Sequence, residues 1–387
     1  MHASLLKSAC GNCSFIWYNG AIGMYILIYK CTSYLWFLKK MTTLSWERRL
    51  KMRLFPKINR LFAILLLVLA IVFGIGGYWW MKIHSGSLVT PLTSATVRAG
   101  LPHYLFTIDG KTKASDPINT AHSIKGPLAV TVSSDRVFVA DTGNSRVQVY
   151  SLDGKWISTW GQGKLNYPFA LTFSNNRLYV ADPNLTKILV YDDKGNEQKP
   201  LIDRQRLQLT SDKQGEIIRP TAVEVGVDNL IYVADVGNQV VLVLDTSGKI
   251  LRYFGGSGTS DGRFQYPNAL YVAKDSNVYV SDSNNGRIQI FDQKGHFLYK
   301  ITGALGKGGL LALPRGLAVT DAGIIFVVDV FSHSVRAFDE AGYELWIFGG
   351  NGSGNGQFSF PNGLCLDPEG RIYVTDRENN RVQVFGY

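Results

Sequence analysis

Six aspartates, Asp141, Asp182, Asp235, Asp282, Asp329 and Asp376, recur through the chain, each three residues after an aromatic: Phe138, Tyr179, Tyr232, Tyr279, Phe326 and Tyr373. A carboxylate can serve as a general base, a nucleophile or a metal ligand. One placed at the same point of every repeat instead meets a need that every repeat shares. The expected need is a turn, in which the carboxylate accepts backbone N–H groups with help from Asn144, Asn238, Asn285 and Asn379. His333, four residues after Asp329, is the sharper candidate for chemistry. The positions equivalent to it hold Ser145, Thr186, Gln239, Gly286 and Asn380, and His103, His122 and His296 match none of them. A zinc site needs at least three protein ligands. The expectation is therefore no catalytic residue, no metal and no cofactor.

The elements that carry these residues follow from the repeat. Pro127, Pro168, Pro220, Pro267, Pro314 and Pro361 open six copies, separated by 41, 52, 47, 47 and 47 residues. A period of that length marks a propeller or solenoid. Each copy holds short apolar alternations bounded by Gly, Asn, Asp or Pro, the period of strands and not of helices. The fourth copy shows four of them, beginning at Leu270, Val278, Arg287 and Phe297. Four antiparallel strands repeated six times predict an all-β, six-bladed β-propeller. The position two after each proline is small, as Ala129, Ala170, Ala222, Ala269, Gly316 and Gly363, which suits strands converging on an axis.

The sixth copy ends at Tyr387, two residues after its third strand, so it lacks a fourth. An open ring would leave an unpaired strand edge prone to aggregation. Tyr104-Leu105-Phe106-Thr107-Ile108 has the alternation of the missing strand, and the expectation is that it closes the ring.

The pattern of proline, small residue, apolar strand, aromatic-Val-x-Asp, Asn-x-Arg-Val-x-Val-aromatic and glycine resembles NHL-repeat propellers over residues 101–387. Lys187, Val240 and Ser334 depart from it, standing where other copies have Arg146, Arg287 and Arg381. His333 looks like the metal-binding histidine of the related propeller lyases that cleave peptidyl-hydroxyglycine, yet the histidines of the other blades are missing. Gluconolactonase-like propellers hold a divalent metal through a glutamate just before an inner strand. Here Lys125, Asn166, Ile218, Gln265, Ala312 and Ser359 occupy that position.

Ahead of the repeats, residues 61–80 are uncharged and long enough to cross about 30 Å of hydrocarbon as a helix. Arg48, Arg49, Lys51, Arg53, Lys57 and Arg60 precede them, and only Lys82 and His84 follow closely. The positive-inside rule then keeps residues 1–60 cytoplasmic and puts the propeller on the extracytoplasmic side, tethered through flexible residues 81–100. Residues 1–40, with an apolar run over 15–38, read as a start-site artefact or a second, weak membrane segment.

The net charge of +10 belongs to this N-terminal part: residues 1–100 carry 12 Lys+Arg and one acidic residue, and the remainder 28 basic and 29 acidic. A near-neutral domain lacks the basic face that nucleic-acid binding requires, so no nucleic-acid partner is expected. Cys10, Cys13 and Cys31 precede the anchor, and Cys365 reads as a small apolar residue of an inner strand.

With chemistry unsupported, shape remains. The expected role is a binding scaffold for an envelope or extracellular protein, a peptide or a glycan. The propeller sensor domains of bacterial membrane receptor kinases are similar. A propeller lyase or hydrolase on an extracellular substrate is the alternative. Phe169, Thr221, Asn268, Arg315, His333 and Asn362 are expected to ring the channel mouth, and Arg315→Ala or Asn362→Ala to weaken capture without loss of stability. Glycine-rich loops over 254–264 and 348–358 are attributed to tight blade crossings that need positive φ. Residues 200–219, with Asp203, Arg204, Arg206 and Asp212, are a second candidate contact surface.

Overall fold

The structure is a computed structural model that describes residues 5–7, 14–19, 24–28, 101–110, 122–208, 214–303 and 309–386. The chain divides into two units, Met1–Pro91 and Leu92–Tyr387. In the first, Leu5–Lys7, Ser14–Asn19 and Met24–Ile28 form a three-stranded antiparallel sheet. Among the described residues no helix is long and apolar enough to cross a membrane. The helix expected over 61–80 and the tether over 81–100 lie outside the described residues.

The second unit is a six-bladed β-propeller, each blade a four-stranded antiparallel sheet. Blade four runs outward through Pro267–Val272, Val278–Asp282, Arg287–Phe291 and Phe297–Ile301. Blade six runs through Pro361–Leu366, Ile372–Asp376, Arg381–Gly386 and then His103–Ile108. In that last pairing Val382 faces Ile108 and Val384 faces Phe106, so the start of the domain closes the ring. Ile108 is buried in the layer between blades six and one, which ties closure to core burial.

The core is a set of layers between adjacent blades and not one central mass. Tyr232 and Ala234 pack toward blade four, whereas Ile231 and Val233 pack toward blade two. The second and third strands are therefore buried on both faces, and Ile231–Asp235 and Val240–Leu244 are buried throughout. This is why these strands read as continuous apolar runs, while outer strands such as Phe297–Ile301 alternate.

Small residues on the inner strands have a cause at two junctions. A Cβ on Gly316 would lie 2.6 Å from the backbone oxygen of Asn362, and one on Gly363 would lie 2.5 Å from that of Leu128. Within residues 200–219, Ile202–Asp203 is the short outer strand of blade two, and Arg206–Gln208 pairs with Gln214–Ile217 as an added hairpin. Asp203 pairs with Lys187 at 3.0 Å and Arg206 donates to the Gly215 carbonyl, while Asp212 lies outside the described residues.

Candidate functional site

The repeat aspartates are buried, and their donors are chiefly in the segment that enters the inner strand. Asp141 accepts Lys125 N–H at 2.7 Å, Asp182 accepts Asn166 and Tyr167, Asp329 accepts Ala312 and Leu313, and Asp376 accepts Ser359. Leu185 N–H on Asp182 and Gly237 N–H on Asp235 come from the turn itself. Each carboxylate thus staples the turn after the second strand to the incoming loop. Asn144, Asn238, Asn285 and Asn379 donate to it from the turn.

Arg146, Arg287 and Arg381 complete the staple through Nε at 2.7 Å from Asp141, Asp282 and Asp376. Blade five lacks that arginine, and Arg336, two residues along the same strand from Ser334, replaces it. Arg336 sits 3.6 Å from Asp329 and 2.6 Å from Glu344, with all three side chains buried. In sequence the signal is an Arg at the position that other blades fill with Gln148, Gln289 or Gln383. Blade three has no replacement, and burial raises the Asp235 pKa.

His333 does not line the channel. It adopts φ of 53°, in the left-handed region, as do Ser145, Thr186, Gln239 and Asn380 at the equivalent positions. Its Nδ1 accepts the Phe360 N–H of the next blade at 3.1 Å. Gln239 accepts Tyr266 N–H, and Asn380 accepts Gly126 N–H across the closing junction. The position is a latch between blades, which a neutral imidazole can fill as well as an amide. Among the described residues no three His, Cys, Asp or Glu side chains come together as a metal site.

The other five expected mouth residues, Phe169, Thr221, Asn268, Arg315 and Asn362, line a central cavity of about 260 Å³. Most of their polar atoms are already engaged at blade junctions. Thr142 donates to the Pro168 carbonyl, Thr172 to Glu224, Thr221 to the Pro267 carbonyl and Ser283 to the Pro314 carbonyl. Arg315 Nη1 donates to Asn362 Oδ1 at 2.7 Å, and Asn362 Nδ2 donates to the Leu128 carbonyl at 2.7 Å. These bonds cross all six junctions in turn. Asn362 is buried at the closing junction with both ends of its amide bonded, so its replacement by Ala is now expected to cost stability, where the sequence reading expects no loss.

Arg315 differs from the rest. Its Nε is buried without a hydrogen-bond partner, and no ion pair among the described residues includes it. Burial and the nearby Arg377 lower its pKa, an effect countered by Tyr167 and Tyr266. Tyr266 and Phe360, each immediately before its blade proline, are exposed.

Glu224, which sequence reasoning overlooked, is the other charged residue lining the cavity among the described residues. It lies four residues after Pro220, where other blades carry Thr131, Thr172, Tyr271, Ala318 and Cys365. Burial pushes its pKa up to about 7, against the Thr172 hydroxyl bonded to it at 2.8 Å. Cys365 also lines the cavity, its thiol pKa raised by burial.

In the glycine-rich loops, Phe264 and Phe358 are fully buried, and each returns its N–H to a glycine carbonyl, Gly256 and Gly350, at 2.8 Å. Gly349 holds φ of 105° with the Phe358 ring against it, so the glycine serves both the turn and the seat of the ring.

The NHL repeat model matches residues 125–150, 264–291 and 358–385. No curated protein matches the chain. Among solved structures, an auxiliary nutrient binding protein from Bacteroides ovatus is similar at TM-score 0.55 and 14% identity, covering 74% of this chain and 77% of that one. A structural genomics protein of unknown function from Bacteroides thetaiotaomicron gives 0.54 at 20% identity, covering 73% and 75%. A streptogramin B lyase gives 0.50 at 13% identity, covering 74% and 98%. At these identities the likeness is one of fold.

Proposed function

Because the chain is an NHL-repeat propeller, we propose that it works as a binding platform, membrane-anchored through residues 61–80, with the propeller on the extracytoplasmic side. Its partner is an envelope or extracellular protein, a peptide or a glycan, docked on the face that carries the channel mouth. The observation that supports this most directly is Arg315, a half-buried cation whose Nε is buried without a partner and that forms no ion pair among the described residues. Such a group loses hydration on folding and regains hydrogen bonds when a ligand arrives. The nutrient binding protein of similar fold is in keeping with a binding role.

A photo-crosslinker placed at Phe360, in the full chain in its native membrane, is expected to give a discrete adduct. One placed at Glu369, beside the other opening, is expected to give none. Equal labelling from both positions would remove the site from this face. Protease added from the outer side should digest the propeller of the intact membrane, and full protection would reverse the topology.

A second reading, a lyase or hydrolase on an extracellular substrate, is favoured by one observation. Glu224 is a carboxyl held near neutrality inside a cavity, as proton transfer requires. Turnover of a peptidyl-hydroxyglycine or lactone substrate that Glu224→Gln abolishes would support it.

A further inference from the structure

The central cavity carries two charged side chains, at opposite ends of its wall. Arg315 follows its blade proline by one residue and Glu224 follows its own by four. Three residues along a strand separate the two levels by roughly 10 Å. Between them the wall is mainly Ala, Gly and Leu, and Thr131 and Thr172 add hydroxyl groups at the level of Glu224. Arg315 Nε is buried without a partner, and its Nη1 is held by Asn362 Oδ1, which fixes the plane of the fork. Glu224 has Thr172 on one oxygen and no cation paired with it among the described residues. Tyr271 and Cys365, the other titratable groups lining this level, carry no positive charge.

Resting on the binding reading above, we propose that the channel takes a dipeptide-sized zwitterion with free termini, its carboxylate on Arg315 and its ammonium on Glu224. The size fits. A volume of about 260 Å³ lies just below the range of roughly 300–1,000 Å³ usual for drug-sized ligands. Two extended residues span about 7 Å, comparable with the roughly 10 Å between the two levels. Arginine suits the carboxylate because its planar fork binds both oxygens. An entering ammonium holds Glu224 ionised, so each end of the ligand completes a charge that the empty channel leaves uncompensated.

The test is calorimetric titration of the solubilised full chain at pH 8 with three probes: alanyl-alanine, its N-acetyl derivative and its C-terminal amide. Alanyl-alanine is expected to bind, with each capped form at least ten-fold weaker. Arg315→Gln should abolish the preference for the free carboxylate and Glu224→Gln the preference for the free amine. If either variant fails to fold, the capped probes on the unaltered chain still decide. Equal binding of capped and free forms overturns the proposal. Absence of alanyl-alanine binding while Phe360 still crosslinks also overturns it and leaves the platform standing. Loss of both signals removes the platform as well.

Discussion

Asp282 and Asp376 each gather four donors of the same kind: one backbone N–H, an Asn, an Arg Nε and a Gln. A carboxylate so enclosed holds its arginine, whose Nη2 in blade six donates to both the Gly354 and Gln357 carbonyls. Removing one partner of a buried pair strands the other. Asp376→Ala should cost about 3–5 kcal/mol in urea unfolding. Asp235→Asn should cost distinctly less, because blade three has Val240 where the arginine would stand. Equal losses would show that the pairing adds nothing to the staple. Glu224 gives a pH dependence. Its folded pKa, about 7, is raised above the ordinary carboxylate value, so between these values the folded state binds more protons and this contribution to stability is lost as pH rises. Glu224→Gln should therefore be nearly neutral at pH 4.5 and stabilising by about 1–3 kcal/mol at pH 8. The same difference at both pH values would exclude a raised pKa.

At the scale of elements, the inner strand is where close approach between blades is decided. Gly316→Ala forces a methyl group into the backbone of blade six and should destabilise by about 1–3 kcal/mol. Ala222, at the same position in blade three, shows that the ring admits a Cβ at another junction, so Ala222→Gly should be the milder change. A circular-dichroism melt of the two variants reads the difference, and the reverse ranking would place the tight junction elsewhere. The outer strands, the small inner position and the blade-opening prolines were all legible, because strand period and backbone crowding leave marks on single residues. The arginine swap in blade five was not, since Arg336 and Ser334 trade roles only once Asp329 and Glu344 are seen to flank one guanidinium. His333 was legible as unusual and illegible in purpose, because a latch needs a partner, Phe360, that lies in the next repeat.

For the whole molecule, closure is the vulnerable step. The outer strand of blade six is His103–Ile108, and five registered pairs join it to Arg381–Gly386. A chain starting at residue 111 would expose that edge and remove Ile108 from the layer between blades six and one. It should lose a single cooperative unfolding transition and aggregate on gel filtration. A monomer with an unchanged melt would mean that the interblade layers hold the ring unaided.

The sequence by itself determined that there are six copies, that each is a four-stranded blade, and which segment returns to complete the last one. Period, strand alternation and turn residues are local quantities, written where they act. What the repeated chemistry is for emerges only from the fold: the aspartates bind loops, most of the mouth residues bind the neighbouring blade, and His333 holds a backbone N–H. The fold also brought Arg315 of blade five and Glu224 of blade three, 91 residues apart, into one cavity. The physical reason is that a propeller places its axis between repeats. What lines that axis belongs to no single copy, and appears only when the ring has closed.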